Sequence, residues 1–139
     1  MKIENYGNYS NTPLTRDIVE GDILIFVEAV FAGTYRSPKY IGDRTILATV
    51  KKESYGADKG QHTFTLIVHD CIGTQANEIL AKETIRRKGR NLYKECYTVG
   101  SIYTVEDRIK KADDKHERGN RVREMKRQER EYRLYSMFS

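Results

Sequence analysis

Residues 104–138 limit the fold more than any other stretch. Thr104 stands ahead of Val105, Glu106 and Asp107, the Ser/Thr-x-x-Asp/Glu pattern that caps a helix N-terminus. Behind it, Glu106–Lys110, Asp107–Lys111, Asp114–Arg118, Glu117–Arg121 and Glu129–Arg133 each place the acid four residues before the base. That order stabilises an exposed helix by about 0.2–0.5 kcal/mol per pair. Gly119 followed by Asn120 predicts a break or kink, hence one or two helical pieces. Apolar residues are sparse here and gather only at the end, in YRLYSMF. Such a helix cannot build a core alone, so the core must come from the residues before it. The apolar end, Leu134–Phe138, is expected to dock on its own sheet or on a second subunit.

The core is carried by three alternating runs. Residues 22–31 place Ile23, Ile25, Val27, Ala29 and Phe31 on one face. Residues 44–52 place Ile46, Ala48 and Val50 together, and residues 62–69 do the same with Phe64, Leu66 and Val68. Period-two alternation with β-branched residues predicts three strands. Gly56 and Gly60 fit a hairpin turn between the second and third, whereas residues 32–43 read as a longer loop. Residues 1–17 read as an irregular lead-in with Tyr6 and Tyr9 packing down. TQANEILAKE predicts a short helix, and residues 84–99 predict two short strands around Lys88-Gly89. The expected fold is α+β, an antiparallel β-sheet body over residues 1–103 and a charged helical region over residues 104–139. The helical region belongs to the same domain or to an oligomer interface.

The chain has 139 residues, one domain's worth. Its 25 Lys+Arg against 20 Asp+Glu give a net charge of +5, which suits an anionic partner without demanding one. Cys71 and Cys96 have no CxxC spacing and read as thiols of a cytoplasmic protein. His62, His69 and His116 form no ligand cluster, so neither a metal nor a cofactor is expected. No apolar run approaches membrane-spanning length, and the N-terminus lacks the apolar region of a signal peptide. No nucleophile–base pair or carboxylate pair stands out, so the chain reads as a binder, not an enzyme.

Four stretches carry chemistry. In RRKGRNLYKE, Lys88 and Arg90 flank a glycine that lets a phosphate approach the backbone, Asn91 can pair with a base or ribose, and Tyr93 offers a ring. A charged turn explains it equally well. In the tail, Arg108, Lys111, Lys115 and Arg118 recur at helical spacing, and Arg123, Arg127 and Arg130 form a second row. Arg118 and Arg121 beside Gly119 are the best placed for a ligand. GTYRSPKYIGDR interleaves Arg36, Lys39 and Arg44 with Tyr35 and Tyr40, which suits a nucleotide or a single strand. Finally, His62 opens the strand that buries Phe64, and reads first as a structural hydrogen-bond partner.

The order of a sheet, a QHTFTL strand, KGRNLY and a charged tail with an Arg-Gly step resembles the Thoeris anti-defence sponge family of small phage proteins. That resemblance implies a cytoplasmic homo-oligomer, a dimer or trimer of dimers. It would sequester a cyclic ADP-ribose-type immune signal, and cyclic oligonucleotides at separate sites, without cleaving them. It implies a ligand site of Asn91, Lys88, Arg90, Tyr93, Phe64, Arg108, Arg118 and Arg121, and a second nucleotide site at Arg36, Lys39 and Arg44. The competing expectations are a small basic nucleic-acid-binding protein and an inhibitor of a host protein. Against the first stands the tail's alternation of acid and base, since a phosphate-tracking arm would be more purely basic.

Overall fold

The computed structural model describes residues 1–14, 17–54, 62–74 and 79–138. It is an α+β fold. Strands β1 (Asp22–Thr34), β2 (Ser37–Ser54), β3 (Thr63–Gly73), β4 (Thr84–Lys88) and β5 (Cys96–Ser101) form one antiparallel sheet in the order β4-β3-β2-β1-β5. A helical turn, α1 (Gly89–Leu92), and one long helix, α2 (Val105–Phe138), complete it. The expected hairpin turn at Gly56 and Gly60 lies outside the described residues.

Both faces of the sheet are used. One carries Leu24, Phe26, Ile46, Ala48, Val50, Phe64, Leu66 and Val68, joined by Ile18, Ile85, Leu92 and Cys96. The other carries Ile23, Ile25 and Leu47, covered by Ile3, Tyr6 and Tyr9 from two 3-10 turns, Ile3–Tyr6 and Tyr9–Asn11. The expected single apolar face of β1 is therefore corrected. Alternation in Ile23-Leu24-Ile25-Phe26 identifies two faces, and the N-terminal turns make the second one a core as well.

Two further expectations change. Residues 32–43 are not a long loop: β1 runs on to Thr34, Tyr35 and Arg36 make the turn, and β2 starts at Ser37. Gly33 sits at φ +89° with Ser37 O 2.8 Å from where a Cβ would stand, so glycine is required at this tight reversal. And α2 is continuous through Gly119-Asn120. A single glycine costs about 1 kcal/mol, which is small beside a helical ladder of this length. The part of TQANEILAKE that is described, from Ile79, holds a turn and no helix. Thr104 does cap α2, its Oγ1 accepting from Asp107 N at 3.2 Å.

Because β4 and β5 lie at opposite edges, the chain between them must cross the sheet. KGRNLY is that crossing. Leu92 and Tyr93 face the larger core, while Lys88, Arg90 and Asn91 are exposed.

Candidate functional site

α2 is docked by charged groups, and contributes no residue to either apolar cluster. Arg108 donates through Nε and Nη2 to Asp22 at 2.8 and 2.9 Å, and again to Asp17 O at 3.0 Å. Asp22 is fully buried and also accepts from Val19 N. One turn on, Ala112 is buried. Buried Lys115 then donates to Ile18 O, lies 3.6 Å from Glu53, and sits 5.6 Å above the Phe64 ring. These contacts carry α2 along one end of the sheet, from β1 past β2 to β3. Farther on, the charge of Arg123 is felt at His62, which opens β3.

At that corner His62 holds the strap to the sheet. Its carbonyl accepts from Gly89 N at 2.8 Å, and its Nε2 meets Tyr93 Oη at 3.1 Å. Phe64 and Tyr93 pack edge-on around it. Burial, then Lys115, then Arg123 hold the imidazole below its ordinary pKa, so it is neutral at pH 7. A neutral imidazole in fixed bonds serves the fold.

Beyond Arg123 the helix leaves the body: residues 124–137 are all exposed. At 100° per residue, Arg123, Lys126, Arg127, Arg130 and Arg133 fall within an arc of about 120°. This is the same stripe that packs Arg108, Ala112, Lys115 and Gly119 toward the sheet. The docked half runs from β1 toward β3; β4 is the next strand in the sheet, and Lys88 at its end and Arg90 just beyond it are exposed. Met125, Tyr132 and Tyr135 lie on the far side with Glu124, whereas Glu129 and Glu131 flank the arc at its two edges. Residues 118–138 hold seven cations against three carboxylates, whereas residues 105–117 hold four against five. The acid–base alternation read along the tail thus separates in space into a basic face and a mixed one.

With this geometry in view, the comparisons place the chain. Residues 19–99 match the family model described as a domain of unknown function, DUF7699. The chain belongs to that family. This DUF7699 protein is similar to zinc finger CCCH domain-containing protein 62 of Oryza sativa subsp. japonica. The two are 32% identical over 108 residues, 74% of this chain and 15% of the rice protein. The chain thus matches a small part of that relative's length. With two cysteines in all, it cannot form the three-cysteine set of such a finger, and no group of potential metal ligands occurs among the described residues. No solved structure matches.

The DUF7699 structure separates the sequence-predicted site residues. Lys88, Arg90 and Asn91 are exposed together on the strap, with Tyr93 half-buried beneath. Phe64 is fully buried, so it has no free face for a base. Arg108 is committed to Asp22, and burial is outweighed by that carboxylate so that its pKa is raised. Arg118 reaches back to Asp114 O at 3.4 Å and, with Arg121, borders a shallow depression shared with Glu20, Asp114 and Glu117. Lys111 lines it too, so three cations there face three carboxylates and the depression carries no excess positive charge for a phosphate. Of the second set, Arg44 is drawn away: it and Arg87 both grip Glu28, at 2.8 and 2.7 Å. Burial would raise the Glu28 pKa, but the bonds from Arg87 and then Arg44 leave it lowered. Arg36 and Lys39 stay exposed at the hairpin tip. Arg123, Arg127 and Arg130 read in sequence as one row that leaves out Lys126 and Arg133; a helical-wheel projection of residues 118–137 adds them. The apolar tail end does not dock on its own sheet, as Tyr132, Leu134, Tyr135 and Met137 are exposed.

Proposed function

We propose that this protein is a non-catalytic binding module for the phosphate backbone of a nucleic acid. The overhanging face of α2 makes the main contact, and Lys88 and Arg90 widen it. One observation carries this reading: five cations share one face of an exposed helix, with Glu129 and Glu131 only at its two edges. Salt-linked backbone contacts need cations at a fixed spacing and no general acid or base. The titratable groups at the corner, His62, Lys115 and Glu53, are held in bonds that serve the fold, which supports binding without chemistry.

Fluorescence anisotropy with labelled oligonucleotides tests this. With about five phosphates neutralised, log K should fall with log salt at a slope near −4.5 for duplex and near −3.5 for a single strand. The double variant Arg130→Glu/Arg133→Glu should weaken binding for all sequences and flatten the slope by about two. Absence of binding at low salt, or an unchanged slope in the variant, would overturn the proposal.

A second reading keeps the cyclic-nucleotide sponge expected from sequence. It is favoured by the joint exposure of Lys88, Arg90 and Asn91 on the strap, and it would need a second subunit to enclose the ligand. Thermal shift with cyclic ADP-ribose isomers and cyclic oligonucleotides decides it, because tight ligands raise stability by several kcal/mol when in large excess. A large shift with a cyclic ligand, and none with oligonucleotides, would replace the first reading by the second. The cytoplasm expected from sequence is compatible with either ligand. No helix among the described residues is long and apolar enough to cross a membrane.

A further inference from the structure

The β1–β2 hairpin extends past the rest of the sheet. Pairing of β2 with β3 begins at Arg44, and pairing of β1 with β5 ends at Phe26. Residues 31–42 are therefore a two-stranded ribbon with no third strand beside it among the described residues. A ribbon has no second layer in which to bury large side chains. Yet Phe31 and Tyr40 stand directly opposite each other on it, edge to face with centroids 6.0 Å apart, each about half exposed. At the tip Tyr35 is fully exposed, at 102%. Two cations, Arg36 and Lys39, accompany these rings, and residues 31–42 contain no carboxylate.

The ribbon is also held in shape. Thr34 Oγ1 accepts from Ser37 N at 3.1 Å across the turn. Tyr40 Oη donates to Asp43 at 2.9 Å. At the base, Gly42 has φ +145° and lies so close to Thr74 that a Cβ would stand 2.3 Å from its Oγ1. Exposed rings on a cationic arm, two of them packed on each other, have the composition of a stacking platform. Bases provide flat π faces, and the cations follow the phosphates between them.

We infer that the hairpin arm binds unpaired bases of a single-stranded nucleic acid by stacking on Tyr35, Tyr40 and Phe31, with Arg36 and Lys39 on the backbone. The bases of a duplex are stacked on each other and present only their edges, so the arm discriminates single strands from duplex. This rests on the reading that the ligand is a nucleic acid, and adds which form of it the protein selects. The arm lies at the opposite end of β1 from Asp22, where α2 docks, so the two contacts can be altered separately.

The protein has no tryptophan, so Tyr35→Trp in the full chain places a single reporter at the tip. Its emission should be quenched saturably by a short oligothymidine strand and left unchanged by a duplex of equal length. Tyr35→Ala/Tyr40→Ala should weaken single-strand binding about tenfold or more and leave duplex binding as it was. Neither ring is in the core, so both variants should fold, as circular dichroism would verify. Equal quenching by duplex, or unchanged single-strand affinity in the alanine variant, would overturn the inference. The Arg130→Glu/Arg133→Glu variant separates the two proposals. Loss of all binding in that variant, with the arm variants unaffected, rejects the arm and keeps the helix. Loss confined to the arm variants rejects the helix and keeps the arm.

Discussion

Arg108 provides the sharpest division between a ligand contact and a structural one. Its guanidinium donates twice to Asp22, a carboxylate with no exposed surface, and once to Asp17 O. Arg108→Ala would leave the Asp22 carboxylate buried with the Val19 N–H as a remaining donor. Breaking a buried ion pair from one side costs about 3–5 kcal/mol. Because the Arg108 side chain is 27% exposed, we expect the lower end, about 3 kcal/mol. At an m-value of about 2 kcal/mol/M, that lowers the urea midpoint by about 1.5 M, and the melting temperature by about 10 °C. Asp22→Asn keeps an acceptor for Val19 N–H and frees Arg108 to turn toward water, so it should cost about 1–3 kcal/mol. The pair Asp22→Asn/Arg108→Leu should cost less than the sum of the single changes, since neither charge is then stranded. Urea titrations followed by circular dichroism measure all of these. A midpoint for Arg108→Ala within about 0.2 M of the parent, together with weakened ligand binding, would refute the structural assignment and return Arg108 to the ligand site.

Gly89→Ala should destabilise by about 1–3 kcal/mol, as overpacking does. Its Cβ would stand 2.5 Å from His62 Nε2, and adding His62→Ala should recover part of the loss in the same titration. Stability should also fall with acid in two stages. His62 and His69 are held below their ordinary 6.5, by burial first and then by Lys115 and Arg123 for His62, and by burial and the N-terminal charge for His69. The unfolded chain therefore takes up these protons first, and stability is lost as pH falls from about 6.5 through the lower folded values. Glu28, lowered from 4.5, contributes above that value and is lost at more acid pH. Urea midpoints from pH 8 to about pH 2 would trace both stages. His62→Gln should flatten the first, and an unchanged profile would refute the role given to His62.

The sheet was legible because burial writes a period of two into Ile46-Ala48-Val50 and Phe64-Leu66-Val68, and the helical region because Thr104 and the acid–base spacing write its start and extent, although not its continuity through Gly119-Asn120. The second core was not. Ile23 and Ile25 read as the buried face of β1, but nothing local says that Leu24 and Phe26 face an even larger core behind. The hairpin was hidden by its own turn residues, since Gly33, Pro38 and Gly42 punctuate a ribbon as readily as a loop. The site was legible in part. Lys88, Arg90 and Asn91 are where a phosphate could reach them, but Phe64, Arg108 and Arg44 bear the right chemistry for a ligand and spend it on the fold. Residue type cannot distinguish an arginine facing Asp22 or Glu28 from one facing solvent; only the tertiary partner does.

That distinction explains how α2 can do two things with one stripe. Over its first three turns the stripe meets buried carboxylates and carbonyls, Asp22, Asp17 O, Ile18 O and Glu53, and its cations Arg108 and Lys115 are satisfied by the body. Past Arg123 the same stripe continues with the same residue types, but the sheet has ended and residues 124–137 are exposed. An apolar stripe in that position would drive aggregation, and a mixed one would be only solvated. A stripe of Arg123, Lys126, Arg127, Arg130 and Arg133 keeps this half of the helix solvated and net positive. It raises the local potential, which favours an anionic surface entering the overhang. The docked half thereby sets the angle at which the free half is presented, which is why undocking through Arg108→Ala should reduce stability before it alters the charge on offer.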